Sequence, residues 1–200
     1  MGFKVKKVLN ISSSCLLLMF LLFNFGCSPS NILATGGGTA MVVAEGDRSL
    51  GTVVDDATIK VNVAAKFLNA GNNLFVDVNT TVLEGRILLT GLVDTQEVRI
   101  EALRLVWEVE GVREVINEIE IGNRESLKDY ANDLWINTQA KGVAAKTIGL
   151  RAVAYNFETI NGKIYVAGIT SRPEQMEAMI EALKNIKGVK EITNYVIVKE

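Results

Sequence analysis

Apolar residues recur along the chain in two rhythms, one suited to helices and one to strands, and the two follow each other in the same order twice. Ile59, Val63 and Phe67 stand four apart, the spacing of one buried helical stripe, behind Asp55 or Asp56 as the expected cap. Val76, Val78, Thr80 and Val82 then alternate as a strand does. Glu84-Gly85 predicts a tight turn, from which residues 86–92 return as the second strand of a hairpin. Thr95 with Glu97 opens a second helix carrying Leu103, Val106 and Val109, and Gly111 closes it where a left-handed residue is favoured. Residues 112–121 make the last strand.

Shifting the chain by 77 residues lays 79–121 on 156–198 without a gap. Identical pairs include Asn79/Asn156, Gly85/Gly162, Gly91/Gly168, Gly111/Gly188 and Val112/Val189, and the same shift pairs Asp56 with Asp133 and Ile59 with Ile136. The chain is an internal duplication that includes the first helix of each copy. In the second copy Asn161-Gly162 takes the turn, Pro173 the first helical turn, Met179, Ile180, Leu183 and Ile186 the buried face, and Gly188 the stop. A strand, a helix and a further strand in one sheet imply a right-handed crossover. The expected fold is therefore α+β: two tandem αββαβ modules, 55–121 and 133–200, each a three-stranded mixed sheet with two helices on one face, joined by a linker at 122–132. Backbone geometry accounts for the paired glycines without a phosphate-binding role.

Ahead of the modules, Lys4, Lys6 and Lys7 precede an apolar stretch at 15–25 that ends in Gly26-Cys27, the layout of a secretory signal over residues 1–26. Serines at 12–14 interrupt the run, which falls short of the ~20 apolar residues of a spanning helix. A small residue directly before Cys27 resembles the lipobox of bacterial lipoproteins, although Asn24 stands where that box usually has Leu. The resemblance implies that Cys27 is acylated and becomes the mature N-terminus, and Ser28 in place of Asp implies sorting to the outer membrane. Cys15 would leave with the signal, so the mature chain would hold no free thiol and no internal disulfide. Residues 27–54, rich in Gly, Ser, Ala and Thr, read as a tether.

The chain contains no histidine. With no free cysteine either, the commonest general base, thiolate nucleophile and zinc ligands are missing, so binding rather than catalysis is expected, with no cofactor and no metal. Glu108, Glu110, Glu114, Glu118 and Glu120 are expected on the exposed faces of a helix end and a strand, not as a carboxylate pair for glycosidic chemistry. Charge separates the modules. Residues 55–121 hold 12 acidic and 6 basic residues, a net of −6, whereas 133–200 hold 7 and 9, a net of +2. The stretch 134–157 carries Lys141, Lys146 and Arg151 and no acid at all, which suits an anionic membrane surface.

The duplication also tells core from surface. Ile59, Val63 and Phe67 map to Ile136, Ala140 and Ala144, whereas Trp135 maps to Thr58, one position and about 100° off the stripe. Trp135 is expected to be exposed, with Thr138, Gly142 and Ala145 as small neighbours and Lys141 and Lys146 at the rim. An indole there suits a bilayer interface. The other reading has Trp135 filling a module junction against 127–130. Trp107 is expected in the core or between modules. Nucleic acid is excluded as a partner by the mature net charge of −5 and the lack of an aromatic and basic platform.

Glycine at the hairpin turn, glycine near the end of the second strand and a Gly-Val pair before the last strand, present in both units, resemble the BON domain. Two such units behind a lipobox resemble the dual-BON outer-membrane lipoproteins. That resemblance implies a lipid-anchored periplasm-facing protein that binds anionic phospholipid through the first helix of its second domain and supports outer-membrane integrity. An adaptor that regulates an outer-membrane protein-assembly machine or another envelope partner, binding through the sheet faces of its modules with lipid contact incidental, is the alternative.

Overall fold

Consecutive left-handed residues set each hairpin. Glu84 and Gly85 have φ of 56° and 75°, and Asn161 and Gly162 have 52° and 80°, the two positive values a type I′ turn needs. A Cβ on Gly85 would lie 2.8 Å from the carbonyl oxygen of Gly111, and one on Gly162 2.9 Å from that of Gly188, so each paired glycine admits the close approach of the other. The computed structural model describes residues 49–71, 73–122 and 127–199. The expected signal, Cys27 and most of the tether lie outside the described residues.

The first module runs α1 (Leu50–Asn69), a single turn α2 (Leu74–Asp77), β1 (Val78–Leu83), β2 (Arg86–Val93), α3 (Gln96–Trp107) and β3 (Glu114–Ile121). The second runs α4 (Leu127–Ile148), a 3₁₀ segment (Gly149–Ala154), β4 (Tyr155–Ile160), β5 (Lys163–Thr170), α5 (Pro173–Leu183) and β6 (Glu191–Val198). In each, the middle strand pairs antiparallel with the first and parallel with the third. The fold is α+β, two mixed three-stranded sheets each backed by helices, as the patterning implies.

Boundaries shift at both first helices. Ser49 caps α1, its hydroxyl accepting from the Thr52 N–H at 3.2 Å, so residues 50–54, assigned above to the tether, are helical. The second module's helix starts at Leu127 rather than near Asp133 and takes in part of the expected linker. Val76 sits in α2 and is exposed, not on the strand.

Neither Asp55 nor Asp56 is the cap. Asp56 is 4% exposed, and its carboxylate accepts from the Glu84 and Gly85 N–H groups at 2.7 and 2.9 Å. Asp133 does the same to Asn161 and Gly162, at 2.8 Å each. A mid-helix aspartate thus ties each first helix to its own hairpin turn and answers two amide donors that the tight turn leaves free.

The helix-side face of each sheet closes a separate core. Ile59, Val63, Phe67, Val82, Ile87, Leu89, Val106 and Ile119 meet in the first module, and Ile136, Ala140, Ala144, Ile164, Val166, Met179 and Leu183 in the second. The opposite faces are apolar as well. Leu83, Leu88 and Leu92 pack against Ile160, Tyr165, Ala167 and Ile169, joining the two modules sheet to sheet within one compact unit. Buried on both sides, β2 and β5 read as nearly continuous apolar runs.

This packing corrects the reading of the glutamates. Glu118 and Glu120 alternate onto the sheet-facing side of β3 and are engaged there, not solvated. Glu118 accepts from the Tyr195 hydroxyl and pairs with Lys163 at 3.3 Å. Glu120 accepts from Asn161 at 2.7 Å and from the Tyr165 hydroxyl at 3.3 Å. Lys199 joins Glu84 across the same junction. Glu108 pairs with Lys66 and Arg104, and Glu114 with Arg86. Burial, reinforced by these carboxylates, raises the pKa of Tyr165 and of Tyr195 above the ordinary tyrosine value. At Lys163 burial works in the opposite direction, but Glu118 and Glu191 outweigh it and its pKa is raised too.

Two outcomes follow. Asp56→Ala and Asp133→Ala should each lower unfolding free energy in urea by about 3 kcal/mol, since each leaves two turn amides without a charged acceptor; a loss within ~0.5 kcal/mol would contradict the clamp. Stability should also fall as pH rises above about 10. There the unfolded tyrosines ionise while the folded ones hold their protons, and the contribution of Lys163, present below its unfolded pKa, is lost as pH passes the folded one. Tyr195→Phe should flatten that alkaline fall in denaturant titrations, and an unchanged slope would count against the junction.

Candidate functional site

Helix α4 lies on the outside of the second module because Ile136, Ala140 and Ala144, all fully buried, turn one side onto the sheet. Opposite that side, Trp135, Thr138, Lys141, Gly142, Ala145 and Lys146 are all exposed, the indole at 45%. Trp135 is not among the residues of the sheet-to-sheet junction. Neither Lys141 nor Lys146 pairs with a carboxylate among the described residues. The two lysines are five residues apart, about 140° round the helix, and so flank the strip of small residues from either side. Lys141 leans toward a cleft of about 350 Å³ between the modules, whose walls include Lys60, Phe75 and Asn156. Arg151, the third cation of the acid-free stretch, is half-buried and engaged within the protein.

Gly142 has no packing reason to be glycine, since a Cβ there would meet nothing within 4 Å. A mid-helix glycine costs about 1 kcal/mol relative to alanine. It lies about two turns beyond Trp135 on the same outward face, where it leaves the surface without a side chain.

Several residues escaped the sequence reading. Leu134 is 56% exposed on the Lys141 side of α4, beside Tyr130 one turn earlier, and Leu150 and Val153 are exposed in the 3₁₀ segment that follows. Leu134 maps onto Ala57, also off the core stripe, so the comparison of copies that singled out Trp135 could have found it. In the first module the same face of α1 presents Val54, Val61 and Leu68, all exposed, opposite its own core stripe. Trp107, expected to be buried, is 55% exposed at the end of α3. It follows Val106, which is fully buried, and so points the other way.

The repeated glycine geometry, the parallel third strand and the aspartate clamp occur in both copies, and the BON domain matches residues 55–123 and 132–200. The chain belongs to the BON-domain family. A protein of Anaplasma centrale, described as uncharacterized in the gshII 5′ region, is 35% identical over 147 residues, 73% of this chain and 96% of its own. Outer membrane lipoprotein DolP of Haemophilus influenzae is 31% identical over 178 residues, 88% of this chain and 91% of its own. A 21 kDa hemolysin of Actinobacillus pleuropneumoniae is 31% identical over 153 residues, 74% of this chain and 78% of its own. No helix among the described residues of these BON modules is long and apolar enough to cross a membrane.

Proposed function

We propose that the chain is an outer-membrane lipoprotein, anchored through an acylated Cys27 and facing the periplasm, that binds anionic phospholipid through the outward face of α4 and supports outer-membrane integrity without catalysing a reaction. The observation that carries this reading is the outward face of α4, free of acidic residues, on which an exposed indole is followed about two and three turns later by two exposed lysines that pair with no carboxylate among the described residues. Each lysine near an anionic surface contributes about 1 kcal/mol. The indole adds an amphipathic wedge suited to the interface. Such a surface gives modest intrinsic affinity, which suffices when an anchor already holds the protein at the bilayer and raises its effective concentration. The relative in Haemophilus influenzae bears outer membrane lipoprotein in its name, in keeping with the N-terminal pattern here.

The adaptor reading draws on a different observation, the exposed Val54, Val61 and Leu68 on α1 of the acidic module. The sheet faces are not open to such a partner, because they bury each other.

Every contact described lies within residues 49–199, so a chain beginning at Ser28 keeps them all. In vesicle flotation that chain should bind membranes containing anionic lipid and lose binding as salt rises. Lys141→Glu with Lys146→Glu should weaken binding at least about tenfold with the fold intact, and Trp135→Ala should weaken it as well. Binding indifferent to salt, to the lysines and to the indole would overturn the assignment.

A further inference from the structure

With the sheets buried against each other, the first helix of each module faces outward, and the repeat makes the two helices directly comparable. Val54, Val61 and Leu68 stand seven apart on α1, about 10.5 Å per step and nearly in line. They are 57%, 67% and 65% exposed, and Ala57, Thr58 and Ala65 on the same outward strip add no charge. The core of the module makes no use of them. On α4 the positions shifted by 77 are Ala131, Thr138 and Ala145, all small and all exposed. Thr138 Oγ1 donates to the Leu134 carbonyl oxygen at 2.8 Å, so its hydroxyl needs no further partner.

Three large side chains on one helix and three small ones at the same steps on the other are complementary surfaces, a ridge and a trough. They do not meet within one chain, because α1 and α4 lie in the outer layers on opposite sides of the stacked sheets. We propose that they meet between chains: α1 of one copy packs antiparallel on α4 of a second copy. Centred on Val61 over Thr138, that register lays Val54 on Ala145 and Leu68 on Ala131. It also brings Trp135 over Ala65, so that large meets small along the whole contact.

Charge selects the same pairing. The contact joins a module of net −6 to one of net +2, whereas α1 against α1 would bring two modules of net −6 together. Asp55 and Lys146, neither of them in an ion pair among the described residues, fall on one flank of the contact within about one turn of each other. Lys60 and Lys141 share the other flank, where both remain in water. Net charge also argues against a bilayer as the cover of α1, since an anionic surface repels an acidic module. A heterologous contact leaves one α1 face and one α4 face open at its ends, so further copies can add. It covers the face of α4 assigned above to lipid, and a copy held there by its neighbour is not free to use that face on a membrane.

Sedimentation of the chain beginning at Ser28, without lipid, tests the contact apart from the lipid reading. Its mean mass should rise with concentration and fall back as salt is added. Val61→Gln with Leu68→Gln, and separately Ala145→Glu, should each raise the dissociation constant at least about tenfold. Melting temperatures should not change, because all three side chains are exposed. Lys146→Glu takes the place of Ala145→Glu if that chain melts early. Mixed one to one, the two variants should recover association and stop at two chains, because only one intact ridge and one intact trough remain. A mass of one chain at every concentration up to about 1 mM would overturn the inference. So would a mixture that stays monomeric, or association that either variant leaves intact.

Discussion

The inner faces of the two sheets meet as apolar surfaces, Leu83, Leu88 and Leu92 against Ile160, Tyr165 and Ile169, and their burial decides what the rest of the molecule can offer. A three-stranded sheet covered by helices on one side leaves its other side wet, and a module of about 70 residues has little core to spare. Stacking the two copies buries that second face and gives β2 and β5 the two-sided environment that their sequences suit. The carboxylates of Glu118 and Glu120 then set the register of the junction, because they meet donors from β5, β6 and the second hairpin turn. Buried polar pairs of this kind specify an arrangement more than they stabilise it. With the sheets facing inward, the outward surfaces left to each module are its helices.

Duplication supplied two equivalent outward helices, and divergence gave them different surfaces. On α1 the face carries Val54, Val61 and Leu68 in a module of net −6, whereas on α4 the same positions are Ala131, Thr138 and Ala145, with Trp135 and flanking lysines in a module of net +2. What did not diverge is architectural: the turn, the aspartate that clamps it, and the glycine that lets the chain before the third strand pass close behind it. The cores also changed, Val63 and Phe67 becoming Ala140 and Ala144, but on the outward face of α4 divergence placed an exposed indole and a glycine without a packing role.

How much of this was legible depended on whether a residue's task was local. Helix stripes, hairpin turns and the glycine stops follow from spacing alone, and those elements stand where the pattern puts them. Asp56 and Asp133 were visible as a repeated pair, but a cap and a clamp look alike in sequence; only the partner, 28 residues away at a turn, distinguishes them. The junction left a signal too, in the apolar residues at both faces of 86–93 and 163–170. Which surface would cover the outer face depends on long-range packing, and with it the fates of Glu118 and Glu120. Trp135 was found because its counterpart sits off the core stripe. Trp107 was misplaced although its counterpart is Lys184, a charged residue that the same comparison of copies marks as exposed.

The central claim is that the second module, and not the first, lays its helix on the membrane. The chain holds two tryptophans, one on each module, so emission from Trp107→Phe reports Trp135 alone and emission from Trp135→Phe reports Trp107 alone. With anionic vesicles brominated along the acyl chains, the Trp135 signal should shift to the blue and be quenched while the Trp107 signal stays as in buffer. Quenching of Trp107 with Trp135 unaffected would contradict the account.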